Sequence, residues 1–501
     1  MSLEKSTTTN AIILNIKPKT LSKNLFLNGI LCKTLVFLTL ILYLVYFFLS
    51  SSSSTTTTLL QFPPTKNIIK SSKQYYFNSN NIKTNISHLV FGIAASSNTW
   101  GKKKCYIKSW WKPNITKGYL FLDRTPNDEH LPWPNSSPPY RISSDNSRYM
   151  PYNKHGMPFA IRMVRVIQET FMEEHDSSTV RWYVMADDDT VLMIENLVNV
   201  LSKYDHMKYY YVGMNSECIV SNFGMSFQMA FGGGGYALSY PLAQALAKNM
   251  DTCIKRYPYL YGSDHILQAC IADLGVTITL EKGFHQIDLR RDISGFLSAH
   301  PQSPFISLHH LDLVSPIFPS MNHYDALNHL MKAASVDQSR LLQQSTCYNK
   351  RHNWTFSVSW GYSVQIYDKI ISQSYLQTPI ETFGEWRKGA WPPYMFNVRK
   401  FNNNNNYSCD EVPNILFFDS LEGTRLNHIV TTYVKKNHRI CANNDDDHSS
   451  NGVMKVHVFS PMDKLHVGDG NRRECCDIIQ PIGMDSMAIK LRTCMKHEII
   501  A

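Results

Sequence analysis

Three consecutive carboxylates, Asp187, Asp188 and Asp189, close the apolar run Trp182–Ala186 (WYVMA). Like charges packed together raise one another's pKa and are costly without a cation between them. A divalent metal removes that cost, and oxygen ligands suit Mn2+ or Mg2+. One aspartate would suffice to cap the helix expected from about Ile194, and three in succession exceed what a cap requires. The chain supplies its own contrast. Asp445–Asp447 sits in the all-polar stretch ANNDDDHSSNG and reads as a solvated loop.

Three further stretches offer chemistry. In MAFGGGGYALS, the glycines Gly232, Gly233, Gly234 and Gly235 satisfy a G-x-G-x-x-A spacing at Gly232, Gly234 and Ala237. A dinucleotide fingerprint would open a helix at once, whereas here a short strand intervenes before Pro241. The run is better suited to a backbone that comes close to a ligand where a side chain would obstruct. In YGSDHILQACIADLGV, Asp264 begins a helix and reads equally as an N-terminal cap or as a general base for a hydroxyl. In PFISLHHLDLV, His309 and His310 are expected on opposite faces of a strand, so that at most one serves a given site.

The elements around these residues set their positions. HLVFGIAAS and GYLFLD read as buried strands joined by the helix GKKKCYIKSWW, and PFAIRMVRVIQETFMEE as a helix leading into the strand that ends at the triplet. Alternating strands and helices imply a largely parallel α/β sheet, whose ligands bind beyond the carboxyl ends of the strands. The triplet falls there. A strand KYYYVGM follows, and Tyr324–Leu342 reads as a helix. From Cys347 onward the chain turns aromatic, with alternating runs such as TFSVSWGYSVQIY and VMKVHVFSP, and predicts a smaller β-rich domain.

The whole chain has 501 residues and a net charge of +10, with no Lys/Arg block beyond the N-terminal tail, so nothing supports a nucleic-acid partner. Thr34–Leu49 is sixteen residues without a charge, preceded by Lys5, Lys17, Lys19, Lys23 and Lys33 and followed by none until Lys66. This pattern predicts an uncleaved anchor with the N-terminus cytosolic and the body lumenal. A short span suits the thinner membranes of the early secretory pathway. Asn85, Asn114, Asn135, Asn353 and Asn406 begin glycosylation sequons on the lumenal side, where ten of the eleven cysteines also lie, an even number compatible with disulfides. Cys475 and Cys476 are adjacent, so each should pair with a distant partner. Residues 50–84 are Ser-, Thr- and Asn-rich and read as a flexible stem.

In series, the strand with its aspartate triplet, the glycine run, the G-S-D helix start and S-L-H-H-L-D resemble the Fringe-like β-1,3-glycosyltransferases. With GFHQIDLRRDISGFLSAHP (Gly283–Pro301), the chain is most similar to the plant branch catalogued as a domain of unknown function (DUF604). The resemblance implies an α/β fold of the GT-A type with a mostly parallel sheet flanked by helices, a type II anchor, Mn2+ (or Mg2+), a UDP-sugar donor and inversion at a glycan or glycoconjugate acceptor. It also implies roles. Asp189, Asp187 and His309 would hold the metal, with Asp187 near the ribose and Asp188 between them. Asp264 would be the catalytic base. Gly232 to Gly235 would flank the donor sugar, and Asp188 and Trp110, which matches the tryptophan after the first strand, would help bind the nucleotide sugar. Where Fringe enzymes carry two acids before the Asp264 helix, this chain has Ser263. The expected organisation is a cytosolic tail (1–33), a transmembrane anchor (34–49), a stem (50–84), a catalytic domain (85–342) and the β-rich domain (343–501), in the Golgi membrane. A lumenal glycan-binding protein without turnover is the alternative. A hydrolase is disfavoured because the acids are adjacent rather than spaced across a scissile bond.

Overall fold

The computed structural model describes residues 36–47, 83–149, 151, 158–389, 391–400, 412–425, 427–436, 450–465, 472–479 and 485–500. The chain divides into two compact units, Met1–Ser79 and Asn80–Ala501. In the first, residues 36–47 are helical and exposed. The expected anchor over 34–49 extends past these at both ends, and no helix among the described residues is long and apolar enough to cross a membrane. The tail, nearly all of the stem, Asn406 and the second aspartate triplet lie outside the described residues.

The second unit is built on two sheets. The first has seven strands: β1 (Leu89–Ala94), β2 (Lys117–Leu122), β3 (Tyr140–Ile142), β4 (Trp182–Asp187), β6 (Tyr211–Gly213), β7 (Tyr236–Ser239) and β8 (Ile278–Leu280). Their order is β3-β2-β1-β4-β7-β6-β8, and only β7 opposes its neighbours. The apolar runs of β1 and β4 have no polar face because both sides of the sheet are covered. Leu89, Phe91 and Ile93 join Trp182 and Val184 in one core with Trp100, Trp110 and Trp111 from and after helix α1 (Trp100–Lys108). The alternate residues Val90, Tyr183 and Met185 pack on the other side under helices α2 (Pro158–Glu173), α5 (Tyr240–Arg256) and α6 (Ser263–Asp273). The pleat thus assigns successive residues to opposite cores.

The second sheet has eight strands, β11 (Gln344–Asn349), β12 (Trp354–Ser359), β13 (Ser363–Tyr367), β15 (Asn414–Arg425), β16 (His428–Val434), β17 (Lys455–Pro461), β18 (Cys475–Ile479) and β19 (Ser486–Arg492). Their order is β11-β12-β13-β15-β16-β17-β19-β18, antiparallel except for β17 and β19. The sheet curls until its edge strands meet, where Cys347 and Cys476 are bonded with their Cα atoms 5.6 Å apart. Cys475 bonds Cys494 instead. The adjacent cysteines therefore take separate partners, and Cys253–Cys270 pins α5 to α6.

Two short pairings stand outside both large sheets and join distant segments. β5 (Val191–Leu192) pairs with β10 (Ser307–Leu308), and β9 (Leu289–Arg291) pairs with β14 (Phe383–Glu385). The expected helix over Tyr324–Leu342 is shorter, His323–Val336. It stops where the Asp337 carboxylate turns to accept from the Ser339 N–H and hydroxyl.

Candidate active site

The triplet begins where β4 ends. Thr190 closes a turn by donating its N–H to the Asp187 carbonyl (3.1 Å) and accepting the Asp187 N–H on its hydroxyl (2.9 Å). The same hydroxyl donates to the Gly233 carbonyl at 2.8 Å, joining the turn to the glycine run. The chain then enters β5, and its partner β10 delivers His309 to the triplet. His309 Nε2 lies 3.0 Å from Asp189 Oδ1 and 4.0 Å from Asp187 Oδ2. One donor atom each from Asp187, Asp189 and His309 fall within 4.8 Å of one another.

The triplet is electrostatically divided. Burial pushes Asp187 up to about 7 and Asp188 up to about 6. Burial acts on Asp189 in the same sense, but His309 and Lys103 outweigh it and hold that carboxyl below the usual range. His309 is raised to about 9: burial opposes its charge, and Asp189 with Asp187 overcomes that. A divalent cation fits this set. The candidate ligands would be two carboxylates and an imidazole whose Nδ1 is buried without a hydrogen-bond partner among the described residues, and oxygen with imidazole nitrogen suits Mn2+.

Lys103 was not singled out by the sequence. It sits in the KKK run of α1, with Nζ 2.5 Å from Asp189 Oδ2 and 3.8 Å from Asp188 Oδ1. The available signal was position alone: α1 follows β1, so its first turns face the carboxyl edge of the sheet.

The histidine pair needs a correction. The strand stops at Leu308, and His310 takes a left-handed φ of 54°. The two rings are therefore not on opposite faces but side by side, tilted by 34° with centroids 3.8 Å apart. His310 lies 3.4 Å through Nδ1 from the buried Asp288 and stacks on Trp386, whose ring also carries the Arg290 guanidinium at 3.8 Å. His310 thus braces His309. Asp288 and Trp386 were missed by sequence reasoning.

Gly232–Gly234 form a 3-10 turn, and Gly235 follows with φ 83°. A Cβ on Gly232 would lie 2.6 Å from Asp264 Oδ1, and one on Gly233 2.1 Å from His309 Cε1. The close approach that the run permits is therefore to two of the chain's own candidate site residues, Asp264 and His309. Asp264 is not the cap of α6. Gly262 holds that position, with no side-chain cap bond. The Asp264 carboxylate instead turns to the Gly232 N–H, and burial raises it to about 6. Asp264 and Asp187 line one small cavity of about 20 Å3, room for a water.

Trp110 is brought to the triplet from beneath. It is only 3% exposed, and its Nε1 donates to the Thr190 carbonyl at 2.9 Å. It supports the turn rather than lining an opening.

Residues 221–476, half of the chain, match the family described as "Protein of unknown function, DUF604". The chain belongs to that family, in keeping with the resemblance read from its motifs. It is also 30% identical over 120 residues to the "Beta-1,3-glucosyltransferase" proteins of Mus musculus and Homo sapiens. That alignment covers 24% of this chain and 23% of each relative. Among solved structures, core-mannan synthase A from Aspergillus fumigatus, in its Mn/GDP form, matches 37% of this chain and 69% of its own at 6% identity. Its TM-score of 0.25 supports no argument about fold.

Proposed function

We propose that the chain is a metal-dependent glycosyltransferase that moves a sugar from a UDP-sugar to a glycan or glycoconjugate hydroxyl with inversion. The observation that carries this reading is the convergence of Asp187, Asp189 and His309 beside Asp264. Asp187, Asp189 and His309 would hold Mn2+ or Mg2+, which when bound neutralises the charge developing on a departing diphosphate.

The chain's own groups supply the rest. Asp264 takes the proton of the acceptor hydroxyl as its oxygen bonds to the anomeric carbon and the bond to the diphosphate breaks, UDP leaving with that electron pair. A carboxyl poised near 6 is ionised at neutral pH yet basic enough to assist. The Gly232 N–H fixes its orientation. One displacement inverts the sugar, so no covalent intermediate with the chain is needed.

The reading extends to location. The three described disulfides favour an oxidising compartment. The uncharged stretch at 34–49 would hold a lumenal body in the Golgi membrane by a single type II span.

The test is UDP release by the full chain with Mn2+ and a panel of UDP-sugars, beside Asp189→Ala. Metal-dependent UDP from one donor, lost in the variant, is the expected result. No UDP from any donor, together with no donor binding by calorimetry, would replace this reading with that of a glycan-binding protein.

A further inference from the structure

A large cavity lies away from the carboxylates. About 1190 Å3 opens between the β8 side of the first sheet and the second sheet, and neither the triplet nor His309 nor Asp264 lines it. It exceeds the roughly 300–1,000 Å3 of a typical small-molecule pocket. Eight of its lining residues are Asn or Gln, among them Asn199, Gln377 and Asn397 at the rim, and Phe284 and Phe396 add ring faces. Amides paired with ring faces suit a ligand covered in hydroxyls on one side and C–H groups on the other, which is the surface of a pyranose.

Charged residues also line the cavity (Lys203, Glu217, Glu281, Lys282, Arg472 and Arg473), and Arg473 stands apart among them. Arg473 is 8% exposed and has no carboxylate partner among the described residues. Among the described residues only its Nη1 is engaged, donating to the Gln344 carbonyl at 2.9 Å and to Gln302 Oε1 at 3.3 Å. Burial lowers its pKa to about 10. The other charges do not cancel it. Glu217 pairs with His285 and Glu281 with Lys203, while Lys282 has no ion pair among the described residues.

The segment carrying Arg473 is fixed at every neighbouring residue. Arg472 donates to the carbonyls of Met495 and Glu498, and Glu474 accepts from Arg340 Nε and Nη2, both at 3.0 Å. Cys475 and Cys476 are bonded to Cys494 and Cys347. A guanidinium held so firmly, with donors left over, is arranged for bidentate contact with an anion.

We propose that this cleft is a second glycan-binding site, separate from the carboxylate site, and that it takes a chain bearing uronic-acid units whose carboxylate meets Arg473. It does not depend on the transferase reading, because a non-catalytic protein would use it equally.

Calorimetric titration of the full chain with trigalacturonate tests this, with cellotriose and maltotriose as neutral probes of equal length. Trigalacturonate should bind at least about tenfold more tightly than either neutral trisaccharide, and Arg473→Gln should weaken it by about tenfold or more. Asn397→Trp, at the exposed rim, should block binding without disturbing a buried group, and so decides the matter if Arg473→Gln does not fold. Asp189→Ala should bind as the unaltered chain does, and UDP should not compete. The proposal is overturned by equal binding of the neutral probes with no effect of Arg473→Gln, by no binding of trigalacturonate, or by competition with UDP. Loss of UDP release alone would bear only on the transferase reading.

Discussion

A methyl group on Gly233 would lie 2.1 Å from Cε1 and 2.4 Å from Nδ1 of His309, so the imidazole occupies space that only glycine leaves open. Gly233 cannot gain a side chain unless His309 shifts. Gly233→Ala should displace His309 and weaken Mn2+ binding by roughly 10–100-fold, the usual cost of disturbing the support of a metal ligand. Overpacking should also lower stability by about 1–3 kcal/mol. Unchanged Mn2+ affinity in a calorimetric titration would show that His309 is not a ligand.

Metal binding should strengthen with pH. His309, raised to about 9, and Asp187, pushed up to about 7, are largely protonated near pH 6 without a cation. Both must lose protons to serve as ligands, so Mn2+ affinity should climb between about pH 6 and about pH 9, by up to about tenfold per pH unit for each proton released. Titrations in buffers of different ionisation enthalpy would count those protons. A flat profile would exclude the two as ligands.

Lys103 competes for the carboxylates that would hold the ion. In Lys103→Met, Asp189 loses an ammonium 2.5 Å away. The metal-free protein should lose about 2 kcal/mol, the scale of a hydrogen bond to a charged group. Saturating Mn2+ should restore the loss and bind more tightly than before. Thermal melts with and without Mn2+ would reveal this, and a deficit that Mn2+ leaves in place would mean that Lys103 is only a structural support.

Asp264→Asn keeps the shape of the side chain and removes its basicity. Transfer should fall by roughly 10²–10⁴-fold while Mn2+ binding persists. Retained turnover at saturating acceptor would shift the role of base to another group.

What could be read from the sequence was whatever depends on local pattern. The run WYVMA followed by three carboxylates placed the triplet at a strand end, and β4 does end at Asp187. The adjacency of Cys475 and Cys476 implied separate partners, and they have them. What escaped depends on contacts between remote segments or on single backbone angles. The strand-face argument for His309 and His310 failed because one positive φ ended the alternation. Asp264 could not be told from a cap until Gly262 was seen in that position. Lys103, Asp288 and Trp386 sit in charged or mixed stretches with no periodicity. Arg473 gains its meaning only from the cavity that it meets.

The pairing of β9 with β14 carries a consequence for inheritance. β14 lies beyond the start of the second sheet's territory yet pairs back with β9, which precedes it, and Trp386, next along the chain, stacks on His310 beside the candidate metal ligand. The two halves therefore cannot be shuffled freely between lineages. A hybrid joining the front of one relative to the back of another would inherit a mismatched seam next to its own chemistry. Gene fusion or truncation near residue 342 would have to carry β9 and β14 together, which binds the history of the second sheet to that of the first.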